Sequence, residues 1–166
     1  MNALIALLDE LRIPYERYEH APVFTCEEAE RAIPPSDAVQ TKNLFLRDKR
    51  GRRHLLLVTT CEKSVDVKRF ADVAEADHLS FASAERLQTY LGVSPGSVTV
   101  FGLMHDPAHA VELFVDADIW NIERWRCHPL VNSETLVLTR TDVEKFLART
   151  GHVPRVIAVA TRPPAA

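Results

Sequence analysis

The chain has 166 residues, 46% of them hydrophobic and 26% charged, with a formal net charge of −3. That length suits one domain with a single sizeable core, and the composition is that of an ordinary globular protein. No apolar run reaches membrane-spanning length, and the opening MNALIALLDELRI is acidic where a secretory signal is basic, so the expected location is the cytoplasm. A negative chain does not hold duplex nucleic acid chiefly through its phosphates. Any RNA partner must be met through a local basic patch or a terminal nucleotide.

In chain order, Leu4, Leu7, Leu8 and Leu11 recur at helical spacing, and Pro14 closes that segment. Tyr15 to Glu19 alternates as a short strand. Thr25-Cys26-Glu27-Glu28 is a capping box opening a short helix that Pro34-Pro35 stops. Two strands follow, Thr41 to Leu46 and His54 to Thr59. The turn between them, Arg47 to Arg53, holds five cations and a glycine, so the pair is expected to be a β-hairpin with a basic tip.

Helices are expected over Asp66 to Ala74 and Ser83 to Leu91, the second capped by Gly92, with a short strand His78 to Phe81 between them. Val98 to Leu103, Ala110 to Val115, Thr135 to Leu138 and Val156 to Val159 are expected strands. Thr141 to Glu144 resembles a second capping box, for a helix running to Gly151. Several strands lie too close in sequence for helical crossovers. The expected fold is therefore a mixed α/β domain, with a largely antiparallel curved sheet or partial barrel and helices outside. It is a single domain over 1–166 whose last residues, 161–166, form a frayed tail.

Cys26, Cys61 and Cys127 are scattered and lack CxxC spacing, so neither a disulfide framework nor a zinc site is expected. His105 and His109 have the spacing of a helical ligand pair, but Pro107 between them disfavours a helix, and no metal is expected. Chemistry could reside in three places. Lys42 enters a hydrophobic strand beside Asn43; most such lysines are solvated edge residues, but one at a pocket mouth could hold a phosphate or polarise a carbonyl. The loop Leu91 to Ser97 and Gly102 offer backbone amides that could approach a ligand, although a simple turn explains them equally well. His128 follows Cys127, and neighbours in an extended chain face opposite ways, which argues against a Cys–His catalytic pair.

Taken together and in order, several segments resemble the YbaK/ProX family of aminoacyl-tRNA editing domains. They are His20 to Thr25, Thr41 to Asp48, Leu79 to Ser83, Leu91 to Val98, Phe101 to Leu103, His128 to Leu130 with Asn132, and Gly151 to Val156. The branch they most resemble is the free-standing alanyl-tRNA(Pro) deacylases. The resemblance implies hydrolysis of an aminoacyl ester without metal or other cofactor. It implies Lys42 and His128 as catalytic residues, and Asn43, Gly92, Pro95, Gly96, Gly102 and Asn132 as substrate-binding ones. The implied partners are mischarged tRNA, through its 3′ acceptor end, and prolyl-tRNA synthetase, with no membrane. Deacylation of cysteinyl-tRNA(Pro) or another small aminoacyl-tRNA remains open, as do a non-catalytic tRNA- or synthetase-binding role and hydrolysis of an unrelated small ester. The oligomeric state is undetermined by the sequence.

Overall fold

A computed structural model describes residues 2–165 of the chain. The fold centres on one curved mixed sheet, built from β1 (Glu16–Glu19), β2 (Val39–Asp48), β3 (His54–Thr60), β4 (Leu79–Phe81), β5 (Val111–Asp116), β6 (Arg124–Cys127), β7 (Glu134–Thr139) and β8 (Arg155–Ile157). The strand order is β1-β7-β6-β2-β3-β5-β8, with β4 added against the far end of β2. Helical segments are α1 (Ala3–Glu10), α2 (Cys26–Ala32), α3 (Val67–Val73), α4 (Ala84–Leu91), α5 (Ala117–Trp120) and α6 (Arg140–Thr150).

β2 bends the sheet. Its first residues, Val39 and Gln40, run parallel to β6, and its last, Leu46 to Asp48, pair antiparallel with β4. Along its whole middle it pairs antiparallel with β3, Lys42 lying opposite Thr59. β3 and β5 run parallel, as do β5 and β8, so the sheet is more evenly mixed than the expected, largely antiparallel one.

β3 is the spine of the core. Leu56 and Val58 face a large cluster with α1, α4 and α6, whereas Leu55 and Leu57 face a second cluster with Phe70 of α3. All four are fully buried. The period-2 side-chain alternation places apolar groups on both faces, which is why this strand is a continuous apolar run. Each such side chain contributes about 1.5–3 kcal/mol relative to exposure.

Local chemistry sets the helix ends. The Thr25 hydroxyl accepts from the Glu28 amide while the Glu28 carboxylate accepts from the Thr25 amide, completing the expected box at α2. Ser83 caps α4, and Gly92 closes it in the left-handed region. α6 begins earlier than expected: the cap is Thr139, whose hydroxyl accepts from the Asp142 amide, so the Thr141 box does not form.

Two further expectations change. In place of the strand expected over Val98 to Leu103, Val100–His105 is a 3-10 helix. At Gly102 a Cβ would lie 2.8 Å from Leu91 Cβ, so the chain coils tightly against α4 where only glycine fits. An apolar run identifies burial here without identifying its geometry. In the tail, the Arg162 amide donates to Ser64 O and Thr161 bridges to Val65, so this part is fastened down. Residue 166 of that expected tail lies outside the described residues.

Candidate active site

Between α2, the start of β2 and the 94–98 loop lies a pocket of about 190 Å³. β2 supplies Gln40, Thr41, Lys42 and Asn43, and the segment around α2 supplies Val23, Phe24, Thr25, Cys26 and Ala29. Gly96, Val98, Cys61 and His128 complete the lining. Lys42 is the one cation among these lining residues, and no carboxylate is among them.

The Lys42 ammonium donates to the Lys63 backbone carbonyl at 2.8 Å, and burial lowers its pKa from the ordinary lysine value. Burial is also the main influence on His128, outweighing the contact with Glu134 O and holding the imidazole below the usual histidine pKa. His128 Nδ1 lies 3.0 Å from Glu134 O, and a carbonyl can only accept. Nδ1 therefore carries the proton, and Nε2 remains the acceptor of a neutral ring. Asn43 Oδ1 and Gln40 Oε1 are buried acceptors with no partner among the described residues. Buried acceptors of this kind are costly unless a donor arrives to meet them.

The expected site residues divide. Lys42, His128, Asn43 and Gly96 line the one pocket. Asn132 sits behind its wall: Nδ2 donates to Val23 O, and its own carbonyl accepts from the Val23 amide. Pro95 and Gly96 form the centre of a turn closed by the Ser97 amide on Ser94 O, and the positive φ of Gly96 fits its third position. A Cβ on Gly96 would meet the Phe24 ring at 3.3 Å, so the glycine lets that ring close against the loop. Pro95 is exposed and does not line the pocket. Gly92 and Gly102 lie outside it as well, packed against His105 and Leu91. The apolar strand after Lys42 turns into the two cores at Phe45 and Leu46. Val23, Ala29 and Val98 form the pocket's apolar wall.

Cys26 and Cys61 are joined by a disulfide, their Cα atoms 5.6 Å apart, which overturns the expectation of none. The bond ties the first residue of α2 to the turn after β3, and both cysteines line the pocket. Spacing along the chain gave no signal for it, because the two residues are 35 apart and meet only when α2 folds back over β2 and β3. Cys127 is fully buried, and burial pushes its pKa up to about 12, so it is a core thiol and not a nucleophile. His105 and His109 bond separate backbone carbonyls, Leu91 O and Thr150 O.

The fold and pocket define a class: a mixed-sheet α/β domain with a small, apolar-walled pocket that pairs one ammonium with one neutral imidazole. Residues 20–146 match the family described as "Aminoacyl-tRNA editing domain", and the chain belongs to that family. It is 40% identical over 156 residues to the "Prolyl-tRNA editing protein ProX" of Acetoanaerobium sticklandii, covering 94% of this chain and 95% of the relative. It is 32% identical to the "Prolyl-tRNA synthetase associated domain-containing protein 1" of Xenopus laevis, covering 93% of this chain and 94% of that one. A solved structure described as a candidate trans-editing enzyme for prolyl tRNA synthetase has the same fold, with a TM-score of 0.71 at 17% identity over 95% of this chain and 94% of that one. No helix among the described residues is long and apolar enough to cross a membrane.

Proposed function

We propose that the protein is a free-standing deacylase that removes alanine wrongly attached to the proline tRNA. The observation that carries this reading is the convergence of the Lys42 ammonium and the neutral His128 ring on one pocket of about 190 Å³ with apolar walls. That volume lies below the roughly 300–1,000 Å³ of ordinary ligand sites, and it suits a small side chain. A synthetase pocket built for proline cannot reject alanine strongly, because a missing methylene costs only about 1–3 kcal/mol. A second pocket that excludes proline by size resolves the ambiguity. The names of the relatives, one a prolyl-tRNA editing protein and one a prolyl-tRNA synthetase associated domain, support the editing class without naming the amino acid removed.

In this reading a water adds to the ester carbonyl carbon, and His128 Nε2 takes its proton. Lys42 stabilises the oxyanion that forms. The intermediate then collapses, the ester carbon–oxygen bond breaks, and the leaving ribose oxygen receives the proton. The unpaired Asn43 Oδ1 accepts from a substrate donor such as the adjoining ribose hydroxyl. No group of three His, Cys, Asp or Glu residues able to hold a metal occurs among the described residues, and we propose that the reaction needs none. Charged tRNA is met where translation occurs, in the cytoplasm, with prolyl-tRNA synthetase as a second partner.

The test is a deacylation panel: alanyl-, prolyl-, cysteinyl- and seryl-tRNA(Pro) with the purified protein, repeated after exhaustive chelation. Alanyl-tRNA(Pro) is cleaved fastest, prolyl-tRNA(Pro) is spared, and chelation changes nothing. Faster hydrolysis of cysteinyl- or seryl-tRNA(Pro) reassigns the substrate, and no hydrolysis of any leaves a binding protein. Cys127→Ser keeps most of the rate, since the thiol takes no part, although a hydroxyl in that apolar site costs about 1–3 kcal/mol of stability. An acyl group trapped on Cys127 overturns the water mechanism.

The cations of the basic hairpin tip fall into two groups. Arg53 binds Glu112 through two short hydrogen bonds and caps α3 at Ala74 O and Glu75 O, and Arg47 donates to Asp48 O and Lys49 O within the turn, so these two belong to the framework. Lys49, Arg50 and Arg52 are exposed and have no ion pair among the described residues. The tip stands roughly 23 Å from Lys42, seven residues along an extended strand, a distance suited to an acceptor stem and not to the ester. Neutralising those three lowers the slope of log affinity against log salt by about 0.7–0.9 for each phosphate no longer neutralised, leaving the hydrolytic step unchanged. An unchanged slope in tRNA binding at several salt concentrations leaves the tip a solvated turn.

A further inference from the structure

Among the described residues Lys42 has no carboxylate partner, and its ammonium reaches a single protein acceptor, the Lys63 carbonyl at 2.8 Å. The placement of that carbonyl thus sets where the ammonium stands. Residues 61–64 form the turn that follows β3, and the turn has three independent anchors. Cys61 is bonded to Cys26 of α2. Ser64 O accepts from the Arg162 amide at 2.7 Å. The third anchor is the Lys63 side chain itself: Nζ lies 2.7 Å from Asp116 Oδ2 and 2.6 Å from Asp118 Oδ2, and it also donates to Val159 O at 3.2 Å.

Asp116 is fully buried at the end of β5 and receives a further 2.6 Å hydrogen bond from Thr59 of β3. The other oxygen of the same carboxylate accepts from the Asp118 amide at the start of α5. A buried carboxylate held from three directions is a rigid reference point. We infer that Lys63 is a positioning residue: its side chain, clamped by Asp116 and Asp118, holds the backbone carbonyl that aims the Lys42 ammonium into the pocket. This rests on the deacylase reading of the site. Two lysines thus do different work in one chain of contacts. The charge of Lys63 is consumed by the two carboxylates, and its main-chain oxygen is what the site uses. Lys63 lies outside the pocket lining, so loss of its side chain removes no group that touches substrate.

The experiment uses Lys63→Met together with Asp116→Asn, which removes both charges and leaves no buried carboxylate unpaired. Asn at 116 keeps a side-chain oxygen to cap α5. Lys63→Arg and Asp118→Asn are measured beside it, each with a thermal melt to establish folding. In the folded double variant kcat on alanyl-tRNA falls by at least about tenfold with KM unchanged, since an error of the order of 1 Å in a catalytic group costs up to about 10²-fold. Lys63→Arg, which keeps a cation between the two carboxylates, retains most of kcat, and exposed Asp118→Asn gives an intermediate loss. A cooperative melt with kcat unchanged overturns the inference, as does an equal loss in Lys63→Arg. Should the double variant fail to melt cooperatively, Asp118→Asn decides alone, a normal kcat there overturning the inference. If the wild type itself hydrolyses no aminoacyl-tRNA, the deacylase reading fails first and this inference with it. Wild-type activity with unaffected variants rejects the positioning role alone.

Discussion

Lys42→Ala lowers kcat for deacylation by about 10²–10³-fold, the usual cost of removing one preorganised oxyanion donor. The fold tolerates the change. Among the described residues the ammonium bonds only a backbone carbonyl, and the strand is held by Phe45 and Leu46 packing into the two cores. A melt close to wild type with turnover nearly abolished is the expected pair of results; near-normal turnover in a folded Lys42→Ala protein removes the mechanism. The pH profile carries the same assignment. Burial holds His128 below the ordinary imidazole pKa of about 6.5, so the base stays neutral through physiological pH and the acid limb lies below that value. The unfolded chain binds this proton more readily than the folded one, so the His128 contribution to stability is present above about pH 6.5 and is lost as pH falls. Burial likewise lowers Lys42, which sets the alkaline limb below the ordinary lysine value.

Removing the Cys26–Cys61 disulfide produces the second large effect. The bond closes a loop with a sequence separation of 35. In the chain-entropy account such a loop stabilises by about 3–4 kcal/mol. For a chain of this size that is a fall in Tm of roughly 10 °C. α2 has seven residues and buries only Ala29, so its position over the pocket depends on this link more than on packing. Reduction therefore weakens substrate binding as well as stability, raising KM for the aminoacyl-tRNA. Melting and steady-state kinetics with and without a dithiol report both effects, and the Cys26→Ser, Cys61→Ser double variant reproduces the reduced state and ignores reductant. Identical melting of the reduced and oxidised proteins refutes the stabilising role.

What could be read from the residues alone was governed by short-range physics. The Thr25–Glu28 box, the Ser83 and Gly92 ends of α4 and the continuous apolar run of β3 each rest on backbone groups or side-chain periods a few positions apart. They were legible for that reason. β6 was missed because Arg124-Trp125-Arg126-Cys127 alternates over only four residues, too few to set it apart from a loop; it is a strand because β2 and β7 flank it on both edges. Where two local signals competed, packing chose: Thr139 caps α6 because β7 ends there, and Val100–His105 coils because Gly102 must pass against Leu91.

The site shows the same division. Lys42, Asn43 and His128 could be singled out in the sequence because the residue types and the ordered resemblance carry them. Their meeting in one pocket, and the packing of Gly92 against His105 and of Gly102 against Leu91, depend on contacts between segments apart in the chain. The disulfide and the Lys63 clamp are of that kind too. Cys26 meets Cys61 across 35 positions, and Lys63 meets Asp116 only because β3 and β5 lie parallel in the sheet. Chain sequence alone determined most of the elements, the family and the chemical groups on offer. The tertiary structure decided which groups face the pocket, because closing long loops depends on the burial of the whole sheet and leaves no local signature.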